Sequence, residues 1–174
     1  MKSTSDPTGE RATQVEVART IALNLLTARQ RSAHELRMAM ARRHVPEDVA
    51  DEIIERFTEV GLIDDAAFAA ALTSSRSGPG LRGPRRIRQE MQSKGIERDV
   101  AEEALAALSP EEERAAALTL ARRRMRTLSA LEPAVAKRRL YGVLARRGFG
   151  GAVVASVVDE VVGELGDSDH WGDV

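Results

Sequence analysis

The sequence predicts an all-α protein, an elongated array of three tandem three-helix repeats. Three observations predict it. Apolar residues recur at the 3.6-residue spacing of helices along most of the chain. Aromatic residues make up 3% of the chain, and alanines are abundant, which suits thin helices packed closely together. Most tellingly, one pattern of eight positions appears three times without a gap. Leu36, Met40, His44, Val45, Val49, Ile53, Ile54 and Phe57 are followed at the same spacing by Ile87, Met91, Gly95, Ile96, Val100, Ala104, Leu105 and Leu108. Leu140, Leu144, Gly148, Phe149, Val153, Val157, Val158 and Val161 complete the set, at offsets of 51 and then 53 residues. Repetition of this kind marks an architecture in which each unit buries a face against its neighbour.

The elements follow in order. Residues 1–14 are polar, carry Pro7 and Gly9, and read as a disordered N-terminal segment. Repeat 1 occupies 15–60. Its first helix runs from about Val15 to Arg29 with Val17, Ile21 and Leu25 inward. Ser32 and Glu35 form a capping box that opens the second helix. Pro46 starts the third, ended by Gly61. Repeat 2 occupies 61–108. Asp64 or Asp65 caps a helix from Ala66 to Arg76, and residues 77–83, SGPGLRG, read as a flexible joint. Pro84 opens the next helix, and Gly95 fits the left-handed position that ends it. Repeat 3 occupies 109–165. Ser109, Pro110 and Glu112 combine an N-cap, a helix-start proline and a capping glutamate. Pro133 opens a further helix. The Val-rich stretch 153–162 favours a strand by propensity, but its place in the triplicated pattern makes it helical. His44 stands where the other two repeats have glycine, and histidine enters left-handed backbone more readily than most residues. Residues 166–174 form an acidic tail bearing Trp171.

Composition excludes several classes. With no cysteine, there is neither a disulfide nor a cysteine-based zinc site. No apolar run reaches the ~18 residues of a membrane span, and MKSTSDPTGE lacks the apolar core of a secretory signal. A cytoplasmic monomer with no membrane contact is the expectation. His34, His44 and His170 are scattered, and GPGLRG lacks the lysine and preceding strand of a phosphate loop. No catalytic, cofactor-binding or metal-ligating set emerges, so the chain reads as a binding protein and not an enzyme.

The net charge of −1 is unevenly placed. In each repeat the second helix leans basic and the third acidic. The helix dipole accounts for cations near C-termini, such as Arg42, Arg43, Lys94, Arg146 and Arg147. It disfavours Arg85, Arg86, Lys137, Arg138 and Arg139, which sit in the first turns of their helices. Arg85 and Arg138 occupy the same outward place, two residues before Ile87 and Leu140, and His34 stands there in repeat 1. Arg122, Arg123, Arg124 and Arg126 form a further basic run, read as a solvated face.

One ordered set of residues also carries a family resemblance. Gly61-Leu-Ile-Asp-Asp-Ala-Ala-Phe68, then Ser75-Arg76, then Gly83-Pro-Arg-Arg-Ile-Arg-Gln-Glu-Met91 and Lys94-Gly-Ile96 resemble the RecX family, bacterial regulators of the recombinase RecA. The match is best over about residues 30–110 and continues more weakly to about 163. The resemblance implies tandem three-helix repeats in a crescent, and a role in homologous recombination, DNA repair and the SOS response. It implies RecA as partner, as its filament on DNA, with inhibition of recombinase, ATPase and coprotease activities. On this reading the partner-binding candidates are Arg85, Arg86, Arg88, Lys94, Lys137, Arg138 and Arg139. The alternative is a helical protein that binds single- or double-stranded DNA directly, which the near-neutral charge and the acidic third helices disfavour.

Overall fold

A computed structural model describes residues 7–168, and every element in it is a helix. In chain order these are α1 (Pro7–Ala28), α2 (Ala33–Ala41), α3 (Glu47–Glu59), α4 (Asp65–Ser77), α5 (Pro84–Ser93), α6 (Arg98–Ala106), α7 (Pro110–Leu128), α8 (Pro133–Arg146) and α9 (Gly151–Ser168). The expectations for residues 1–6, for His170 and for Trp171 lie outside the described residues.

The local signals explain most helix ends. Ser32 and Ser109 both close reciprocal capping boxes: each side chain accepts from the N–H three residues on, and Glu35 and Glu112 return the bond. Asp64 accepts from the Ala67 N–H at 2.8 Å and caps α4. His44, Gly95 and Gly148 hold positive φ of 58°, 69° and 87°, so the same turn recurs at the same place in all three repeats.

The chain packs as two compact units. One comprises residues up to Ala69 together with Gln92–Val100. The other comprises Ala70–Met91 together with residues from Ala101 on. In the first, α1 packs on α2 and α3 around Ala18, Ala22, Leu36, Met40, Val49 and Ile53. In the second, α7, α8 and α9 enclose Leu120, Leu140, Leu144, Phe149, Val154 and Val157.

Three expectations need correction. α1 begins at Pro7, well ahead of Val15, because Pro7 suits a first helical turn and Arg11 reaches across to ion pairs with Asp48 and Glu52 on α3. Its buried stripe is Ala18 and Ala22, with Ile21 and Leu25 half-buried, while Val17 is 46% exposed. The small alanines let α1 approach its neighbours closely, which rotates Val17 outward. The SGPGLRG segment is not a loose joint. Ser77 and Gly83 are buried, the Gly83 N–H donates to the Arg147 carbonyl at 2.9 Å, and Arg147 Nη1 donates to the Gly80 carbonyl at 3.2 Å.

Two junctions, one inside each compact unit, share a plan. In the first, Ser32 at the start of α2 donates its hydroxyl to the Lys94 carbonyl at 2.7 Å, beside the Gly95 turn. In the second, Gly83 and Arg85 at the start of α5 donate backbone N–H groups to the carbonyls of Arg147 and Gly148, at 2.9 and 3.1 Å. Ser32 and Gly83, like Lys94 and Arg147, are equivalent positions of the repeat. A Cβ on Gly95 would stand closer than 3.0 Å to His34. One on Gly148 would meet the Arg86 backbone, and one on Gly83 would meet the Gly148 and Phe149 backbones.

Two substitutions test this packing. Gly83→Ala must displace backbone, and a lowering of stability by ~1–3 kcal/mol is expected in denaturant melts. Gly151→Ala, where a Cβ meets nothing within 4 Å, should be close to neutral. Met91 is fully buried, so Met91→Ala should cost roughly 2–5 kcal/mol in the same melts.

Candidate interaction surface

The seven candidate cations divide by what holds them. Lys94 is half-buried: its ammonium lies 3.0 Å from Glu35 and 5.7 Å from the centre of the Phe68 ring. Arg88 makes a two-pronged contact with Glu102, Nε to Oε1 at 2.5 Å and Nη2 to Oε2 at 2.9 Å. This pair repeats Arg37–Asp51 of repeat 1, at 2.7 Å and the same separation in sequence. In repeat 3 the matching positions hold Tyr141 and Ala155, and Tyr141 is left exposed. Lys137 pairs with Asp159 at 2.7 Å on the surface.

Arg85, Arg86, Arg138 and Arg139 are different. All four are exposed, on the first turns of α5 and the first half of α8, within the same compact unit. None forms a salt bridge among the described residues; Arg86 donates only a long 3.3 Å bond to Gln89. His34, at the matching place on α2, is exposed as well.

The residues that carry the family resemblance mostly serve packing inside each unit. Glu90 receives Arg76 through Nε and Nη2, at 3.0 and 2.7 Å, and also pairs with Arg82, tying α4 and the 78–83 segment to α5. Asp65 accepts from the Ala33 N–H at 2.9 Å and so satisfies a free donor at the start of α2. Burial pushes the Asp65 carboxyl above its ordinary range, against the opposing pull of that hydrogen bond and of Arg37. Glu35 is the other acidic hub. Burial would raise its pKa, but hydrogen bonds from Arg29, from Lys94 and from the Ser32 N–H outweigh it and lower it to about 2. Sequence reading missed Glu35 and Glu90 as hubs. A glutamate beside basic neighbours was their only signal.

Among the described residues no group of three or more metal-ligating side chains converges, and no helix is long and apolar enough to cross a membrane. Helix upon helix, joined through bare turns and displaying unpaired arginines, these features define a binding protein made of three-helix repeats. Family models for the first, second and third three-helix domains of RecX match residues 18–57, 64–105 and 111–158. The chain is 40% identical over 161 residues to regulatory protein RecX of Streptomyces coelicolor, covering 91% of this chain and 85% of that one. It is 43% identical over 157 residues to the Mycobacterium ulcerans protein of the same name, covering 90% and 88%. The fold matches the crystal structure of RecX from Lactobacillus salivarius at a TM-score of 0.79 and 23% identity, over 86% of this chain and 97% of that one. The chain belongs to the RecX family, and is a regulatory protein and not an enzyme.

The depressed Glu35 pKa has a measurable consequence. A carboxyl held at about 2 when folded, against an ordinary value of 4.5, contributes stability that is fully present above 4.5. That contribution is lost as pH falls from 4.5 toward 2. Glu35→Gln should therefore melt below the parent at pH 7, by a few degrees, and the gap should close across that acid window.

Proposed function

We propose that this chain acts on RecA as its filament on DNA, inhibiting recombinase, ATPase and coprotease activities, and that Arg85, Arg86, Arg138 and Arg139 form part of the contact. As a member of the RecX family the protein is a modulator of RecA. The observation that carries the surface is the set of four exposed arginines without ion-pair partners, at matched places on α5 and α8. The helix dipole disfavours Arg85 and Arg86 in the first turn of α5, so helix stability does not account for those two, and Arg138 and Arg139 lie past the first turn of α8. Arg88, Lys94 and Lys137 already have acidic partners, which leaves them a positioning role beside the free four. A protein with repeated contact elements can engage neighbouring protomers of a filament together, and linked weak contacts raise avidity without one dominant site.

The test is the double reversal Arg85→Glu with Arg138→Glu. Exposed changes of this kind shift stability by about 0.5 kcal/mol each or less, and the Arg85 backbone bond to Gly148 is retained. Inhibition of DNA-dependent ATP hydrolysis by RecA is expected to weaken roughly tenfold, the equivalent of about 1.4 kcal/mol. A variant that melts normally and inhibits like the parent would make these arginines a solvated face. Loss of binding to bare DNA with inhibition intact would favour the direct DNA-binding alternative for this surface.

A further inference from the structure

The basic run on α7 is not a uniform solvated face. Ala115, Leu118, Thr119, Arg122 and Arg126 share one side of α7 and line a groove of about 910 Å³, with Arg123 at its edge. The facing wall is the turn at 78–81, which contributes Pro79 and Leu81. No acidic and no aromatic side chain lines the groove. Arg122 is engaged by Glu164 of α9 at 2.5 Å. Arg123 and Arg126 are exposed and make no ion pair among the described residues. The helix dipole favours a cation in the last turn, where Arg126 stands, and gives no reason for Arg123.

The turn wall is rigidly built. Leu81 has a φ of 47°, left-handed backbone that a bulky side chain seldom adopts. The surrounding bonds impose it. The Arg82 N–H donates to the Arg76 carbonyl at 2.9 Å, the Gly80 N–H donates to the Ser75 carbonyl at 3.2 Å, and Arg147 holds the Gly80 carbonyl. A Cβ on Gly80 would stand 2.7 Å from the Arg76 carbonyl oxygen, so the turn has little room to rearrange. Leu81 and Leu118 are both half-buried, packed beneath against the core of α7, α8 and α9 and open to the groove above. Strained backbone held in this way is a feature of ligand clamps. A wall fixed in advance loses little freedom on binding.

The lining selects its occupant by chemistry. A nucleic-acid backbone would engage the arginines but leave Pro79, Leu81 and Leu118 without an apolar partner, and the groove has no aromatic platform for bases. An acidic peptide with one large apolar residue uses both halves of the lining: the apolar side chain leaves water, and carboxylates meet guanidinium groups. We propose that this groove docks an acidic segment of a partner protein, with one large apolar side chain on the Leu81–Leu118 floor and carboxylates against Arg123 and Arg126. The site shares no residue with the α5 and α8 surface, and it stands whether or not that surface meets RecA.

Short fluorescent peptides test it on the full-length protein at low salt. One is rich in Asp and Glu with a central Phe, a second has that Phe replaced by Ala, and an oligothymidine is the nucleic-acid probe. The Phe peptide should bind the parent, and the Ala peptide should bind roughly tenfold more weakly, the equivalent of about 1.4 kcal/mol. Arg123→Glu with Arg126→Glu should weaken the Phe peptide by roughly tenfold or more, with the helices intact by circular dichroism. Arg123→Gln with Arg126→Gln should fall between that variant and the parent. Arg124→Glu, an exposed change on the opposite side of α7, should bind like the parent. Failure of the Phe peptide to bind the folded parent would overturn the proposal. So would equal binding of the two peptides, or an equal loss in Arg124→Glu, since either would mean attraction by charge alone. Oligothymidine binding more tightly than the Phe peptide, and lost in the double variant, would assign the groove to nucleic acid and overturn the proposal as well.

Discussion

Close backbone approach at two turns is the constraint on which the rest of the molecule depends. The start of α2 sits on the Gly95 turn and the start of α5 sits on the Gly148 turn, each near enough that a methyl group would not fit. Left-handed backbone lets the chain reverse there, and the missing side chain lets another helix end close over the reversal. The consequences run outward in order. Carbonyls of the turn accept from Ser32, Gly83 and Arg85, so the helix ends gain partners that water would otherwise supply. Those contacts fix where α2 and α5 begin, and hence which residues of each face the core. Ile87 and Met91 are fully buried in α5, and Arg85 and Arg86 point out.

Charge is arranged by the same logic. Lys94 and Arg147 each flank a turn glycine, and each reaches back over the junction, Lys94 to Glu35 and Arg147 to the Gly80 carbonyl. Arg76 and Arg82 converge on Glu90, and Arg88 meets Glu102. Isolated pairs on a protein surface contribute little. Glu35 and Glu90, partly withdrawn from water and each holding two cations, are better placed to keep helix ends aligned. Much of the chain's positive charge is thus committed internally. On α5, α7 and α8 the ion-paired cations are Arg88, Arg114, Arg122 and Lys137, and the other arginines of these helices are the ones left for partners.

The fold was legible from the sequence because its repeat is spelled in residue types with few substitutes. A left-handed turn wants glycine or a residue like His44, a capping box wants Ser and Glu, and a helical core wants apolar spacing. The triplicated pattern also overrode the strand preference of the Val-rich end, and α9 is a helix throughout its described length. What sequence reading missed depends on distance through space. Val17 and Ala18 are adjacent, and only the approach of neighbouring helices decides that the alanine goes in. The 77–83 segment has a linker's composition, yet it is held by Glu90 on the next helix and by Arg147, far along the chain. Of the seven candidate cations, helical position singled out Arg85 and Arg138 as outward, which the structure bears out. It carried no signal that Arg88, Lys94 and Lys137 have acids waiting for them on other elements.

His44 adopts the same backbone as Gly95 and Gly148 but brings an imidazole with it. At the opposite end of the series, α8 starts a turn early at Pro133. The position matching Gly83 is therefore Ala136, whose N–H is already bonded within the helix to Glu132. Repeat 1 therefore carries a side chain on its turn, and repeat 3 has no spare donor at the matching point of its second helix. The bare corner that receives a helix start thus occurs twice among the described residues, at Gly95 and Gly148, and each is filled from within the chain, by the starts of α2 and α5.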